Sequence, residues 1–275
     1  MPSPLTKYQR QPKQYIDLPS KGKWYAPGAL EKHEELEVYS MTASDEIATK
    51  TPDALLSGNS TANIIKNCVP SIRDPWQVPM VDIYTILSAI RMASYSDAIS
   101  LTDTCTKCSE ENTYEIGLQG IIGHLGNQTY TTDIEVLDMK FEVRPLTYKE
   151  FNAVNKENFK LQRRMMQDIP KIENDDSKGE EAQKIYDKLA ELKANTVISS
   201  IAKVVTEDGE EETDIHAIAD FIKNADKEYF SAIEEVLIKN NEQFSIPHTD
   251  TTCAACGHSD KLEVEMDYSN FFVIG

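Results

Sequence analysis

Two Cys-x-x-Cys pairs constrain this chain more than any other feature. Cys105-Thr106-Lys107-Cys108 and Cys253-Ala254-Ala255-Cys256 are separated by residues 109–252. Each pair sits between strand-like runs. Ala98-Ile99-Ser100-Leu101 and Gln243-Phe244-Ser245-Ile246 precede them; Tyr114-Glu115-Ile116 and Leu262-Glu263-Val264 follow. That is the layout of a zinc knuckle, a tight turn carrying two thiolates. Zinc takes four ligands in a tetrahedron, about 2.3 Å from each sulfur, and two intervening residues let one turn supply two corners. One pair is weak evidence. Two pairs complete a four-sulfur set, Cys105, Cys108, Cys253 and Cys256, which leaves no position for water and is therefore structural. Gly257 after the second pair suits the tight backbone of such a turn, and Ser109 is its small counterpart.

The wide spacing of the pairs is explained by an internal duplication. Leu36-Glu37-Val38-Tyr39-Ser40-Met41-Thr42 resembles Phe141-Glu142-Val143-Arg144-Pro145-Leu146-Thr147. Each is a short alternating strand ending at Thr, followed by acidic residues suited to a helix start. Apolar helical stretches follow in both halves, Ile64–Val69 and Val197–Ala202. A second helix follows in each. Met80, Ile83, Tyr84, Leu87 and Ile90 recur at helical steps, as do Tyr229, Phe230, Ile233, Val236 and Leu237. Both halves close on a C-x-x-C hairpin. The pattern predicts an α+β fold built from a duplicated strand-helix-helix-hairpin unit, its knuckles meeting at one ion. The expected divisions are a basic arm and aromatic turn segment at 1–35, a first repeat at 36–125 and a second at 126–275. The second is lengthened by a polar helical stretch over 160–193 and by an acidic hairpin tip, Thr206–Glu212, turning at Asp208-Gly209.

Competing chemistry finds less support. A redox C-x-x-C needs a thiol at a helix N-terminus, and the flanks here are strand-like. Five cysteines without a signal-like start argue against a disulfide framework. The fifth, Cys68, lies on an apolar helical face and reads as a core residue. His124, His248 and His258 read as surface residues, with His258 the one placed to replace a ligand or stand beside the set. No G-x-S-x-G, H-E-x-x-H or G-x-x-x-x-G-K-[ST] is present, so the chain reads as non-enzymatic. A net charge of −18 disfavours a phosphate backbone and with it nucleic-acid partners. No apolar run approaches the roughly 18 residues of a membrane span. Synthesis in a cytoplasm follows. A zinc-ribbon adaptor on a nucleic-acid machine and a thiol oxidoreductase stand as alternatives from other classes.

The ends of the chain carry their own signals. Residues 1–23 hold Lys7, Arg10, Lys13, Lys21 and Lys23 against Asp17, a basic arm on an acidic body. Pro19, Ser20 and Gly22 mark a turn before Trp24 and Tyr25, which offer large aromatic surface. Asp267–Gly275 is apolar and reads as a core or partner anchor.

Taken together these segments resemble the T4-type baseplate hub family of contractile-tailed bacteriophages. The resemblance rests on Leu18-Pro19-Ser20-Lys21-Gly22-Lys23-Trp24-Tyr25, on Glu37–Thr42, and on Ala89–Tyr95 leading into Cys105-x-x-Cys108. The closing Cys253-x-x-Cys256-Gly257 and Ser269-Asn270-Phe271-Phe272 complete it. It implies a non-enzymatic hub subunit or hub assembly factor. Its partners would be the hub, the tape-measure protein, wedge proteins and further copies of itself. Its place would be the host cytoplasm during assembly and the baseplate of the virion tail.

Overall fold

The computed structural model describes residues 9–31, 34–49, 58–172 and 175–264. Lys7 of the basic arm, Glu173 and Asn174, and the apolar end from Asp267 to Gly275 lie outside the described residues. The chain is a mixed α+β protein with small antiparallel sheets. It divides into two compact units, Met1–Thr129 with Gln243–Gly275, and Tyr130–Glu242. These units do not follow the repeats expected at 36–125 and 126–275, because the second C-x-x-C hairpin joins the first unit.

In the first unit, β1 (Pro12–Ile16) pairs antiparallel with β2 (Leu36–Tyr39), with Ile16 opposite Leu36. The alternation of β2 buries Leu36 and Val38 completely. Beneath lie α1 (Ala43–Thr49), α2 (Asn59–Cys68) and α3 (Met80–Ser94). The helix α3 starts directly after Pro79, whose fixed φ and missing N–H suit a helix entry. Its Val81, Ile83, Ile86, Leu87, Ala89, Ile90 and Ala93 are all buried, so it is the central helix of this unit rather than a surface one. Cys68 is fully buried among them, and burial pushes its thiol up to about 12, the behaviour of a core residue. The unit continues through β3 (Ala98–Thr104), β4 (Glu111–Gly117) and α4 (Leu118–Gly126), and it includes β9 (Thr249–Thr252) and β10 (Ser259–Leu262).

The basic arm and aromatic segment are part of this unit. Arg10 donates to the carbonyls of Ser40 and Asn67, at 2.7 and 2.6 Å, and lies over the Tyr39 ring. The turn Leu18–Tyr25 is held from below by Asp82 of α3, which is fully buried. Asp82 accepts from the Ser20 amide at 2.8 Å, the Ser20 hydroxyl at 2.6 Å and the Tyr25 hydroxyl at 3.0 Å. Tyr25 therefore points its hydroxyl inward, and both it and Trp24 are half-buried. The turn is strained as well: Lys21 and Trp24 both adopt left-handed backbone, with φ of 53° and 65°.

In the second unit, the antiparallel sheet runs β5 (Asp133–Val136), β6 (Met139–Val143), β7 (Ile201–Val205), β8 (Glu211–Glu212). One face is covered by α7 (Ile215–Asn224) and α8 (Lys227–Gln243). Phe141, Phe221 and Tyr229 meet there, with ring centroids 5.3 to 6.5 Å apart. Between β6 and β7 the chain forms α5 (Tyr148–Arg163), a π-helical turn at Arg164–Asp168, a 3-10 turn at Ile169–Lys171 and α6 (Asp175–Ser199). A small separate cluster of Leu161, Ile169 and Ile185 holds this helical segment together. It accounts for the polar stretch anticipated at 160–193. The acidic tip turns as expected, with Gly209 at φ 80° and its amide donating to Thr206 O.

Two local expectations are corrected. Val197–Ala202 is not one helical stretch: α6 ends at Ser199 and β7 begins at Ile201. The run Ile201, Val204, Val205 is rich in β-branched residues, which favour the pleated ladder. Gln243–Ile246 is not a strand. α8 runs through Gln243, and pairing starts only at Thr249, because Pro247 has no amide to give a ladder.

Candidate metal centre

Both C-x-x-C pairs occupy hairpin turns. The first links β3 to β4, paired from Ala98↔Gly117 to Thr104↔Glu111. The second links β9 to β10, paired from Thr249↔Leu262 to Thr252↔Ser259. The two turns are built alike. The Cys105 amide donates to Glu110 O at 2.9 Å, and the Ser109 amide to Cys105 O at 2.9 Å. At the matching positions the Cys253 amide donates to His258 O at 2.8 Å, and the Gly257 amide to Cys253 O at 2.9 Å. Ser109 and Gly257 both turn the chain through left-handed backbone, with φ of 60° and 67°. Glycine takes that conformation freely and serine does not.

The hairpins bring all four sulfurs together, each within 4.8 Å of the others. Cys105 Sγ lies 3.7 Å from Cys256 Sγ, and Cys108 Sγ lies 3.6 Å from Cys253 Sγ. A disulfide needs a separation of about 2.05 Å, and all four are free thiols. Four sulfurs about 2.3 Å from a tetrahedral zinc ion stand about 3.8 Å apart. The observed separations fit that tetrahedron. Neither pair opens a helix, so the dipole that activates a redox C-x-x-C is missing from both turns. Cys105 and Cys253 are buried, Cys108 and Cys256 exposed. Amide hydrogen bonds from Cys256 and Ala255, opposed by burial, hold the Cys253 thiol below its usual range. Against the Glu110 amide, the neighbouring Cys108 thiol is pushed up by its hydrogen bonds to the other sulfurs, so Cys253 is the corner that gives up its proton first. A thiolate at that corner is what a cation requires.

Two contacts that sequence reading did not single out link the hairpins. Asn112 on β4 is buried and reaches across to the second turn. Its side-chain amide donates to Cys253 Sγ at 3.4 Å and to Glu110 O at 3.0 Å, while its oxygen accepts from the Ala254 amide at 3.0 Å. In the opposite direction, the Thr106 hydroxyl donates to Asp260 Oδ2 at 2.8 Å. The Thr106 hydroxyl, then the Lys261 amide, keep the Asp260 carboxyl below its usual range. The signal was available: Asn112 and Asp260 each stand four residues after the second cysteine of their pair. His258 is half-buried and contributes its carbonyl to the turn, not a ring nitrogen to the sulfur cluster. His124 is half-buried and His248 exposed, neither near the cluster's ligand set.

Each hairpin alone is a poor folding unit. β9 and β10 have four residues each, and a two-stranded hairpin is marginal in water without further support. An ion joining the turns would supply that support, since structural zinc contributes on the order of 10 kcal/mol in small peptides.

The arrangement is thus a cluster of four cysteines that could hold a metal ion, and four thiolates around such an ion would leave it no open coordination position. The chain belongs to the T4 bacteriophage base plate protein family, whose model matches residues 13–273. Neither the curated proteins nor the solved structures give a significant match. Among the described residues no helix is long and apolar enough to cross a membrane.

Proposed function

We propose that this chain is a non-enzymatic structural or assembly subunit of a contractile-tailed phage baseplate, acting at its hub and stiffened by one structural zinc ion. Family membership over nearly the whole chain carries the baseplate reading. The four-sulfur geometry supports the zinc. Cys105, Cys108, Cys253 and Cys256 are the ligands in this reading, and the ion ties two segments distant in sequence into one rigid body. Its partners are other baseplate proteins: hub, tape-measure and wedge subunits, and further copies of the chain. Its place is the host cytoplasm during assembly and the tail baseplate afterwards.

The reading includes an ancestral duplication, supported by more than residue matches. β2 and β6 are each followed by Thr and a capping box, Thr42 with Asp45 and Thr147 with Glu150. The later helices α3 and α8 each precede a C-x-x-C hairpin of the same hydrogen-bond pattern.

The test is to purify tail-assembly intermediates from cells making this protein with an affinity tag, then cross-link and identify its neighbours. Cross-links to hub or tape-measure subunits are expected. Absence of the chain from every baseplate and pre-baseplate complex would overturn the hub role.

A further inference from the structure

The two turns of the clasp are related by position, and the relation is broken at one atom. Counting from the first cysteine of each pair, Asn112 and Asp260 are equivalent, as are Thr106 and Ala254. Each hairpin uses the former position to reach the latter on the other hairpin. Asn112 accepts from the Ala254 amide, and Asp260 accepts from the Thr106 hydroxyl. The clasp is therefore reciprocal. Its chemistry is not. Asn112 also has a donor, which it directs at Cys253 Sγ, 3.4 Å away. Asp260 has only acceptor oxygens when ionised, so it has nothing to offer the equivalent sulfur, that of Cys105.

We propose that Asn112 and Asp260 are opposing affinity determinants of the metal site, Asn112 tightening it and Asp260 loosening it. An N–H donor beside a thiolate relieves its charge and fixes its direction toward the ion. The carboxylate at the matching position is negatively charged and, held by the hydroxyl of Thr106 next to Cys105, can donate no hydrogen bond to a sulfur. Partners of this kind behind metal ligands change affinity by about 10- to 100-fold. This inference rests on the zinc reading above.

The experiment is zinc titration of the apo full-length chain against a chromophoric chelator, for wild type, D260N and N112D. Cobalt(II) is added in parallel to read the sulfur-to-metal charge-transfer band. D260N is expected to bind zinc about tenfold more tightly, because the carboxamide oxygen can keep the Thr106 contact while the negative charge is removed, its NH2 taking the place where the carboxylate now accepts from the Lys261 amide. N112D is expected to bind at least tenfold more weakly. Asp260 is half-buried on a hairpin edge, so D260N tests the idea even if N112D fails to fold. Equal or weaker zinc affinity in D260N, with an unchanged cobalt band, would overturn the proposal while leaving the zinc reading in place. No metal binding by the wild type would remove both.

Discussion

At the scale of single residues, the least expected feature is a carboxylate in the core. Asp82 is fully buried and faces three donors, two from Ser20 and one from Tyr25. Burial dominates those hydrogen bonds and raises its carboxyl from 3.8 to about 6. A raised folded value means that the folded chain holds this proton more firmly than the unfolded chain. The contribution is therefore complete below about pH 4 and lost as pH rises through 6. Asp82→Asn keeps the shape and removes the titration. The difference in unfolding free energy between wild type and D82N should fall by on the order of 3 kcal/mol from pH 4 to pH 7, read by urea denaturation. A pH-independent difference would show that Asp82 does not carry this proton.

A second residue-scale prediction concerns the turns. Ser109 holds a left-handed backbone that Gly257 adopts freely. Ser109→Gly should raise stability by about 1 kcal/mol, and Gly257→Ala should lower it by a similar amount. No atom lies within 4 Å of a Cβ added at Gly257, so backbone conformation alone sets that loss. Thermal unfolding of the metal-loaded variants reads both. A loss of stability in Ser109→Gly, or a gain in Gly257→Ala, would contradict the turn geometry.

At the scale of elements, periodicity is a good guide where one face is buried and a poor one where punctuation decides. Met80, Ile83, Leu87 and Ile90 announce α3, and Ile233 and Leu237 announce α8, because packing against a core enforces the 3.6-residue repeat. The helix-to-strand change at Ser200 and the late start of β9 escape it. Both are settled by β-branched content or a single proline within an apolar run, which periodicity does not register. The threonine starts are legible and have a measurable energy. Thr147 accepts from the Glu150 amide, Glu150 returns to the Thr147 amide, and Arg144 grips Glu150 at 2.7 and 2.9 Å. Thr147→Ala should cost about 1 kcal/mol of stability in denaturant. Thr42→Ala should cost a comparable amount through α1, since it removes both hydroxyl bonds with Asp45 and leaves only the bond from the residue-42 amide. A change below about 0.3 kcal/mol in either would argue that neighbouring contacts, not the cap, hold that helix end.

At the scale of the whole molecule, the clasp is legible in the sequence and the chain's division is not. Spacing alone singles out Cys105, Cys108, Cys253 and Cys256, the four cysteines that the structure brings together as a possible metal site. It does not disclose that β9 and β10 join the first unit, since contacts between segments far apart in sequence leave no local pattern. The matched positions of Asn112 and Asp260 can be read from spacing, but their reach across to Cys253 and Thr106 appears only once the two turns face each other. Native mass spectrometry of the zinc-replete protein, with thiol alkylation before and after chelation, bears most directly on the clasp. The account requires one zinc per chain, four cysteines shielded until the metal is withdrawn, and loss of that zinc in Cys253→Ser. A metal-free chain with those four thiols freely alkylated, or zinc retained in Cys253→Ser, would contradict it.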